Sequence, residues 1–244
     1  MIFQKKRYLD SNVADNMNII DDTTPFAIRE AFSTLCTNIM YLPISDKCKK
    51  IAITSANAHE GKTYTSINLA ISFAYNFVDK KILLIDMDIR KSSVSKHFKH
   101  LEDMSLAKNG LSEYLLGFSE KPNVVQTKVP GLSVLFAGER CSAPQELITS
   151  QKMTDLIKSL ESDYDLILID TPPLIVSDAR LISDLVNGYL ISTRANYSTV
   201  HSIASTEEEL KKVDARIFGI VLTEYKPKFR RRDLKYTIYS DYSK

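Results

Sequence analysis

Residues 55–63 read SANAHEGKT, and this stretch decides the fold because it ends in the Gly-Lys-Thr of a phosphate-binding loop. Gly61 lets the backbone approach a phosphate closely, and the free N–H groups that begin the following helix would face that phosphate. Lys62 would pair with the β and γ phosphates of a nucleotide, and Thr63 would offer its hydroxyl to magnesium. The stretch therefore predicts nucleoside triphosphate binding, although Ala56 occupies the first glycine position of the general motif.

Two apolar runs end in aspartate. Residues 82–90 read ILLIDMDIR, and residues 165–173 read DLILIDTPP. Strand alternation directs Asp86 and Asp88 to the same side, and Asp170 ends the second run. Because Mg²⁺ is usually bound by one or two carboxylates together with water and phosphate oxygens, these three aspartates and the loop threonine are the candidate metal ligands.

The sequence pattern alone also allows purely structural roles for these residues. A Gly-Lys-Thr tripeptide occurs often by chance, and Asp170 could be an ordinary capping residue at a strand end. Asp86 and Asp88 could form salt bridges with Arg90, which could equally steady a phosphate. The loop and the two aspartate-ended runs support one another, so nucleotide chemistry is the favoured interpretation.

The order of apolar segments predicts an α/β fold with a mostly parallel central sheet and helices on both faces, in three layers. Segments such as 166–169 are apolar on both faces, which is typical of buried parallel strands. Ligands of such folds bind at the carboxyl ends of the strands, where the loop and the aspartates fall. The predicted strands are 50–55, 82–86, 132–136, 165–170, 188–193 and 216–222. The predicted helices are 25–41 with Thr24 as N-cap, 62–77, 110–116, 144–161, 178–187 and 200–213.

Composition narrows the class of protein. The chain has 244 residues, 44% hydrophobic and 25% charged, which suits one globular α/β domain. It has no bilayer-spanning apolar run and no signal peptide, so we expect a cytoplasmic protein. The three cysteines and four histidines show neither metal-ligand nor disulfide spacing.

The C-terminal segment forms a separate electrostatic unit. Residues 225–244 carry seven Lys or Arg and two Asp, a net charge of +5, which leaves −3 for the rest of the chain. Tyr236, Tyr239 and Tyr242 are spaced by three within this segment. Composition alone would equally suit contact with a membrane or a nucleic acid. We therefore divide the chain into a flexible segment 1–24, a domain 25–224 and a basic, tyrosine-rich tail 225–244.

Taken together, these motifs resemble those of the bacterial P-loop protein-tyrosine kinases, the cytoplasmic kinases of capsular and exopolysaccharide export systems. The resemblance covers about residues 22–242. The family's Walker A motif matches at Lys62 and Thr63, its Walker B motif at Asp170, and its specific A′ motif at Asp86, Asp88 and Arg90. Further matches are Ala143–Leu147 and the pair Asp178 and Ala179.

The resemblance implies ATP and Mg²⁺ as cofactors and transfer of the γ-phosphate to tail tyrosines of neighbouring subunits. It implies phospho-acceptors at Tyr236, Tyr239 and Tyr242. The expected catalytic residues are Lys62, Asp86, Asp88 as proton acceptor, and Arg90. The expected nucleotide-binding residues are His59, Glu60, Gly61, Lys62, Thr63 and Tyr64, and the expected metal ligands are Thr63, Asp86, Asp88 and Asp170.

The same resemblance implies partners. A transmembrane polysaccharide co-polymerase would activate the kinase and recruit it to the inner face of the cell membrane. A cognate tyrosine phosphatase is a further expected partner, whereas nucleic acid is not.

The sequence departs from the family pattern at several positions. Ser33 and Cys36 replace two arginines of the early helix that pack subunits into a ring, so arginine–carboxylate pairs cannot form there. Any ring must therefore use other contacts, or be absent. His59 stands where the loop commonly has glycine, Tyr64 where a small hydroxyl residue is usual, and Thr223 where asparagine is frequent near the base.

Two alternative functions remain open from the sequence. A partitioning or cell-division switch ATPase shares the loop and the Walker B strand, but its signature lysine falls near Asn57 here, and such proteins lack a tyrosine-rich tail. A nucleotide-binding, non-catalytic scaffold of an export complex is the second. The three functions differ in whether phosphate moves to tyrosine, to water or not at all.

Overall fold

The computed structural model describes residues 19–21, 23–98 and 109–225, which form seven strands and six α-helices. The strands are β1 Lys49–Ser55, β2 Ile82–Asp86, β3 Val124–Gln126, β4 Leu132–Leu135, β5 Leu166–Asp170, β6 Gly188–Arg194 and β7 Ile217–Thr223. The helices are α1 Phe26–Met40, α2 Lys62–Asn76, α3 Leu111–Leu116, α4 Pro144–Ile148, α5 Gln151–Leu160 and α6 Val200–Lys211. Within these ranges, no helix is long and apolar enough to cross a bilayer.

The seven strands form one sheet in the order β3-β4-β2-β5-β1-β6-β7. Every neighbouring pair is parallel except the antiparallel pair β3–β4. The carboxyl ends of β1, β2 and β5 therefore lie side by side, and Asp86 is the register partner of Asp170. The predicted α/β P-loop NTPase fold is confirmed.

Two apolar layers cover the sheet. Ile51 and Ile53 of β1 join a cluster with Phe32 of α1 and Ile67 of α2. Ala52, between them, belongs to the opposite cluster, which includes residues of α5 and α6 such as Leu156 and Leu210. Because successive side chains of a strand point to opposite faces, this division gives the three-layer arrangement predicted from the doubly apolar strands.

All six predicted strands are present, and the sequence analysis missed only β3 among the described strands. Three residues are too few for a recognisable alternation, and β3 pairs only with β4 at the edge of the sheet. The expected helix 144–161 is two helices, because Ser150 caps α5 with its hydroxyl, which accepts from the Met153 N–H at 3.2 Å. The expected helix 178–187 is wrong: two 3₁₀ turns, Ser177–Arg180 and Ser183–Leu185, stand there.

The first helix begins one residue later than expected. Pro25 is the N-cap of α1 and Phe26 its first residue, so Thr24 is not the cap. The Thr24 hydroxyl instead accepts from the Asp21 N–H at 3.0 Å and lies 3.1 Å from the Asp21 carboxylate. The Thr24 hydroxyl is therefore used in a local turn and does not cap the helix, an alternative that threonine side chains often adopt.

Candidate functional site

The phosphate loop connects β1 to α2, and Gly61 is the N-cap of that helix. Gly61 has φ +84°, in the left-handed region that L side chains rarely adopt. A Cβ at this position would also lie 2.9 Å from the side chain of Thr223 on β7. Glycine is therefore required at position 61 both by the backbone conformation and by the close contact with the end of β7.

Lys62 opens α2 and is buried among three carboxylates. Burial lowers the pKa of its ammonium group, and Asp170, Asp88 and Glu60 partly offset that effect. The first N–H groups of a helix have no partner within the helix, so the backbone from position 62 onward presents donors beside this cation. The arrangement suits an anionic ligand such as a polyphosphate.

Asp170 ends β5 next to the first turn of α2. Its carboxylate accepts from the Thr63 hydroxyl at 2.7 Å and from the Ser66 hydroxyl at 2.9 Å. The Thr63 hydroxyl also lies 2.8 Å from that of Ser93, just after the A′ segment. The Walker A threonine, the Walker B aspartate and the A′ region thus meet at one point.

Asp86 lies beside Asp170 at the end of β2 and is fully buried. It accepts from the Ser92 hydroxyl at 2.7 Å and from the N–H groups of Val94 and Asp88 at 3.2 and 3.1 Å. Burial, reinforced by the two neighbouring aspartates, raises the pKa of Asp86. Burial likewise raises the pKa of Asp170. Two buried carboxylates side by side favour a cation between or beside them.

The donor set fits magnesium held together with a ligand. Among residues 19–21, 23–98 and 109–225, no three His, Cys, Asp or Glu side chains are grouped to hold a metal by themselves. The Thr63 hydroxyl and the carboxylates of Asp86 and Asp170 supply hard oxygen atoms, and Asp88 lies half-buried nearby. Mg²⁺ commonly completes such a partial set with phosphate oxygens and water.

Arg90 forms a two-pronged ion pair with Asp178. Its Nε lies 2.5 Å from Asp178 Oδ2 and its Nη2 3.0 Å from Oδ1. The hydrogen bond to Asp178 raises the pKa of Arg90, whereas Asp178 itself is fully buried. Of the two roles expected for Arg90, the structure records pairing with an acid, and that acid is Asp178 rather than Asp86 or Asp88.

The remaining loop residues have distinct surroundings. His59 is exposed with φ +64°, and its carbonyl accepts from Arg194 at 3.5 Å. The half-buried Tyr64 packs its ring edge-on against Phe32 of α1, with ring centroids 5.9 Å apart. The Glu60 carboxylate is fully buried and accepts from protein donors on both of its oxygens.

A cleft beside the loop escaped the sequence analysis. Arg194, Ala195, Asn196, Tyr197 and Glu224 line a cavity of about 350 Å³ where β6 and β7 end. No sequence spacing marks this cleft. Arg194 ends β6 and the next three residues follow it, whereas Glu224 follows β7, 27 positions after Tyr197. The hydroxyls of Ser66, Ser92 and Ser93 were missed for a related reason: serine is too common to mark a site.

The positions of the missing family arginines differ from each other. Ser33 is half-buried on α1 and accepts from the Asn76 side chain at 3.2 Å. Cys36 is fully buried and faces the Leu69 carbonyl of α2, and burial raises the pKa of its thiol to about 12. Position 36 therefore belongs to the core of this chain. The predicted phospho-acceptors Tyr236, Tyr239 and Tyr242 lie outside the described residues.

Comparison with known proteins agrees with this geometry. A sequence family described as an AAA domain matches residues 48–219. The tyrosine-protein kinase CpsD of Streptococcus pneumoniae serotype 4 is 36% identical over 197 residues, which are 80% of this chain and 83% of that protein. The chain belongs to the bacterial P-loop tyrosine-kinase family.

Solved structures similar to this chain include a tyrosine kinase domain. The chimerical protein CapA2B2 has a TM-score of 0.72 and 30% identity, covering 82% of this chain and 85% of that one. The kinase domain of Escherichia coli tyrosine kinase ETK has a TM-score of 0.71 and 28% identity, covering 83% and 79%. The cell division ATPase MinD of Pyrococcus furiosus, at 24% identity and a TM-score of 0.60 over 77% and 79% of the two chains, shares the fold alone.

Proposed function

We propose that this chain is an ATP-dependent protein-tyrosine kinase that phosphorylates its own C-terminal tyrosines and regulates capsular or exopolysaccharide synthesis and export. The observation that carries the proposal is the meeting of the A′ segment with the Walker A and Walker B residues, through Thr63, Ser93, Asp86 and Asp170. Membership of the tyrosine-kinase family supports the same reaction. Residues 25–224 would be the catalytic domain and residues 225–244 the substrate segment.

In this proposal, each group acts through position and charge. Lys62 and the N–H groups of the loop and first helical turn bind the β and γ phosphates of ATP. Thr63, Asp86 and Asp170 would hold magnesium, which would neutralise developing charge on the phosphates. Asp88, half-buried next to them, accepts the proton of the attacking tyrosine hydroxyl.

Arg90 has a supporting role in the same scheme. Its ion pair with the buried Asp178 fixes the chain that follows Asp88, so Arg90 orients the A′ segment. The cleft at Arg194, Tyr197 and Glu224 adjoins the loop and suits the nucleoside, since Tyr197 offers a half-exposed ring for stacking.

The tail supplies the regulatory charge. Each phosphate adds about −1.5 to −2 at neutral pH, so three would offset the +5 of residues 225–244. A transmembrane polysaccharide co-polymerase would activate the kinase and hold it at the inner face of the membrane. A tyrosine phosphatase would reset the tail.

The test is a phosphotransfer assay with γ-labelled ATP, Mg²⁺ and the full chain, with and without the cytosolic part of a candidate membrane partner. Lys62→Met should lower transfer by about 10³-fold or more, because the phosphates lose their main cationic partner. A triple Tyr236, Tyr239 and Tyr242→Phe variant should lose the label but keep nucleotide binding.

Two other results would point elsewhere. Free phosphate without labelled protein would favour the switch ATPase. Nucleotide binding with neither product would favour the scaffold. Transfer that survived Lys62→Met would remove the loop from the mechanism.

A further inference from the structure

Three hydroxyl groups from outside the phosphate loop converge on Glu60. Ser192 of β6 and Thr223 of β7 donate to its carbonyl oxygen at 2.6 and 3.1 Å. Ser198, in the turn between β6 and α6, donates to its carboxylate Oε1 at 2.6 Å. The backbone and the side chain of one loop residue are therefore both held by the β6–β7 side of the sheet.

Glu60 also closes the loop on itself. Its Oε2 accepts from the Asn57 N–H at 2.8 Å, while the Ser55 hydroxyl donates to the Asn57 carbonyl at 2.6 Å. A fully buried carboxylate beside a phosphate site repels the ligand unless hydrogen bonds direct its charge elsewhere. The contacts with Asn57 and Ser198 occupy both oxygens in that way.

The loop needs external support because its own sequence is unusual. Ala56 and His59 stand at positions where glycine is common, and His59 adopts φ +64°. A non-glycine residue in the left-handed region persists only where its surroundings hold it there. The Arg194 contact with the His59 carbonyl and the hydrogen bonds of Glu60, one residue further on, supply this constraint.

Ser198 is placed to connect the loop with the cleft next to it. Besides donating to Glu60, its hydroxyl accepts from the Arg194 N–H at 2.8 Å. Arg194 and Tyr197 line that cleft, and the Arg194 guanidinium pairs with Glu224 across it, with Nη2 2.8 Å from the carboxylate. One hydroxyl thus links the turn that lines the cleft to the residue that fixes the loop.

We propose that Ser198 is a positioning residue for nucleotide binding, which transmits the conformation of the β6–α6 turn to the phosphate loop through Glu60. The inference rests on the proposed nucleotide-dependent function. It assigns Glu60 to holding the loop in shape, with its carboxylate turned to Asn57 and Ser198 rather than to phosphate.

The test compares two serines of the same region in the full chain. Ser198→Ala removes the hydroxyl that reaches Glu60. Ser202→Ala is the matched control, because among the described residues the Ser202 hydroxyl hydrogen-bonds only with the backbone of Thr199, in the capping box of α6. The measurements are the dissociation constant of a fluorescent ATP analogue and the thermal unfolding midpoint of each variant.

We expect Ser198→Ala to weaken binding by about tenfold, since a hydrogen bond to a charged group is lost. Ser202→Ala should change affinity by less than about twofold at a similar loss of thermal stability, because it weakens only a helix cap. Ser198→Thr, which keeps the hydroxyl, should restore most of the affinity. Combining Ser198→Ala with Glu60→Gln should give less than the product of the single losses, because both changes remove one contact.

Equal weakening by the two serine variants, or normal affinity of Ser198→Ala with reduced stability, would reduce Ser198 to a structural residue and overturn the inference. Failure of the unaltered chain to bind the analogue would instead overturn the proposed function, and this inference with it. The two failures are therefore distinguished by the unaltered protein.

Discussion

The two flanks of the phosphate loop are built from opposite kinds of groups. On the β2–β5 flank stand buried carboxylates, Asp86 and Asp170, held by hydroxyl and N–H donors. On the β6–β7 flank stand neutral hydroxyls, among them Ser192 and Thr223, which donate to the loop carbonyl at Glu60. We call these the charged flank and the neutral flank after the groups that hold the loop, although the Arg194–Glu224 ion pair also lies where β6 and β7 end.

The two flanks therefore have different roles: one binds the ligand and the other holds the loop in place. Burial raises the pKa of both aspartates, so their ionised forms are unfavourable until a cation or ligand compensates them. The hydroxyls of the other flank find their acceptors within the protein and need no ligand. The charged flank is therefore specialised for binding, whereas the neutral flank fixes the loop before any ligand arrives.

The largest effect should come from neutralising the charged flank. Asp86→Asn should lower phosphotransfer by about 10²-fold to 10³-fold, because a hard anionic ligand is lost. The same change should raise the thermal midpoint of the nucleotide-free protein at neutral pH, since folding would no longer have to shift the protonation of a buried carboxyl. Phosphotransfer and thermal unfolding of the same preparation measure both effects.

The pH dependence of stability sharpens this prediction. A carboxyl whose pKa is raised by folding stabilises the protein while protonated, and that stability falls as pH rises through the folded-state value. Asp21 and Asp165, whose pKa values folding lowers, act in the opposite direction in acid, so the test is the difference between two proteins. The stability advantage of Asp86→Asn over the unaltered protein should grow as the pH rises from the ordinary aspartate pKa of 3.8 toward the Asp86 pKa of about 8. Asp163→Asn, at an exposed position, is the control, and it should change neither phosphotransfer nor the thermal midpoint. A nucleotide-free Asp86→Asn protein less stable than the original would contradict the argument.

The charged flank could be predicted from sequence and the neutral flank could not. An apolar strand that ends in aspartate is a local pattern, so Asp86 and Asp170 were identified without knowing that they are register partners. Ser192 and Ser198 become meaningful only once β6 pairs with β7 next to the loop. The family resemblance places Thr223 near the base, but it does not give the contact of Thr223 with the Glu60 carbonyl. Serine and threonine occur everywhere, so no local spacing distinguishes those that reach the loop.

The contrast between local sequence patterns and specific contacts also explains which parts of the fold were predicted. Long apolar runs such as those of β2 and β5 carry their own signal, and the strands were located within one or two residues. The break between α4 and α5 depends on the Ser150 hydroxyl, which accepts from the Met153 N–H and donates to the Leu147 carbonyl, and β3 depends on its pairing with β4. Hydrophobic periodicity in the sequence does not predict features that depend on a few specific contacts.

A smaller effect should follow from crowding the neutral flank. Gly61→Ala forces φ +84° on alanine and brings its Cβ to within 2.9 Å of Thr223, so it should cost about 1–3 kcal/mol in unfolding free energy. Nucleotide affinity should fall as well, because the loop must shift. Denaturant unfolding and titration with an ATP analogue measure the two losses.

The chain supplies a matched control in Gly219, on β7. A Cβ added there meets no heavy atom within 4 Å, so Gly219→Ala should not destabilise the protein and should add about 0.5–1 kcal/mol, because alanine loses less backbone freedom on folding than glycine. Measured against Thr223→Ala alone, the double variant Gly61→Ala with Thr223→Ala should recover only part of the loss, since the left-handed backbone and the Cβ of residue 223, 3.1 Å from the added Cβ, both remain. Full recovery in the double variant would mean that the backbone conformation carries no cost.

The smallest effect should come from removing one hydroxyl of the neutral flank while keeping its shape. Thr223→Val deletes a donor that lies 3.1 Å from the Glu60 carbonyl and 3.0 Å from that of Thr193. Ser192 still donates to Glu60, so the loss should be about 1 kcal/mol in unfolding free energy, the usual net value of one hydrogen bond. Denaturant unfolding of Thr223→Val and of Thr223→Ser, which keeps the hydroxyl, separates donor from shape. A loss well above that value would mean that the hydroxyls act as a coupled network, and the neutral flank would then be as sensitive to single changes as the charged one.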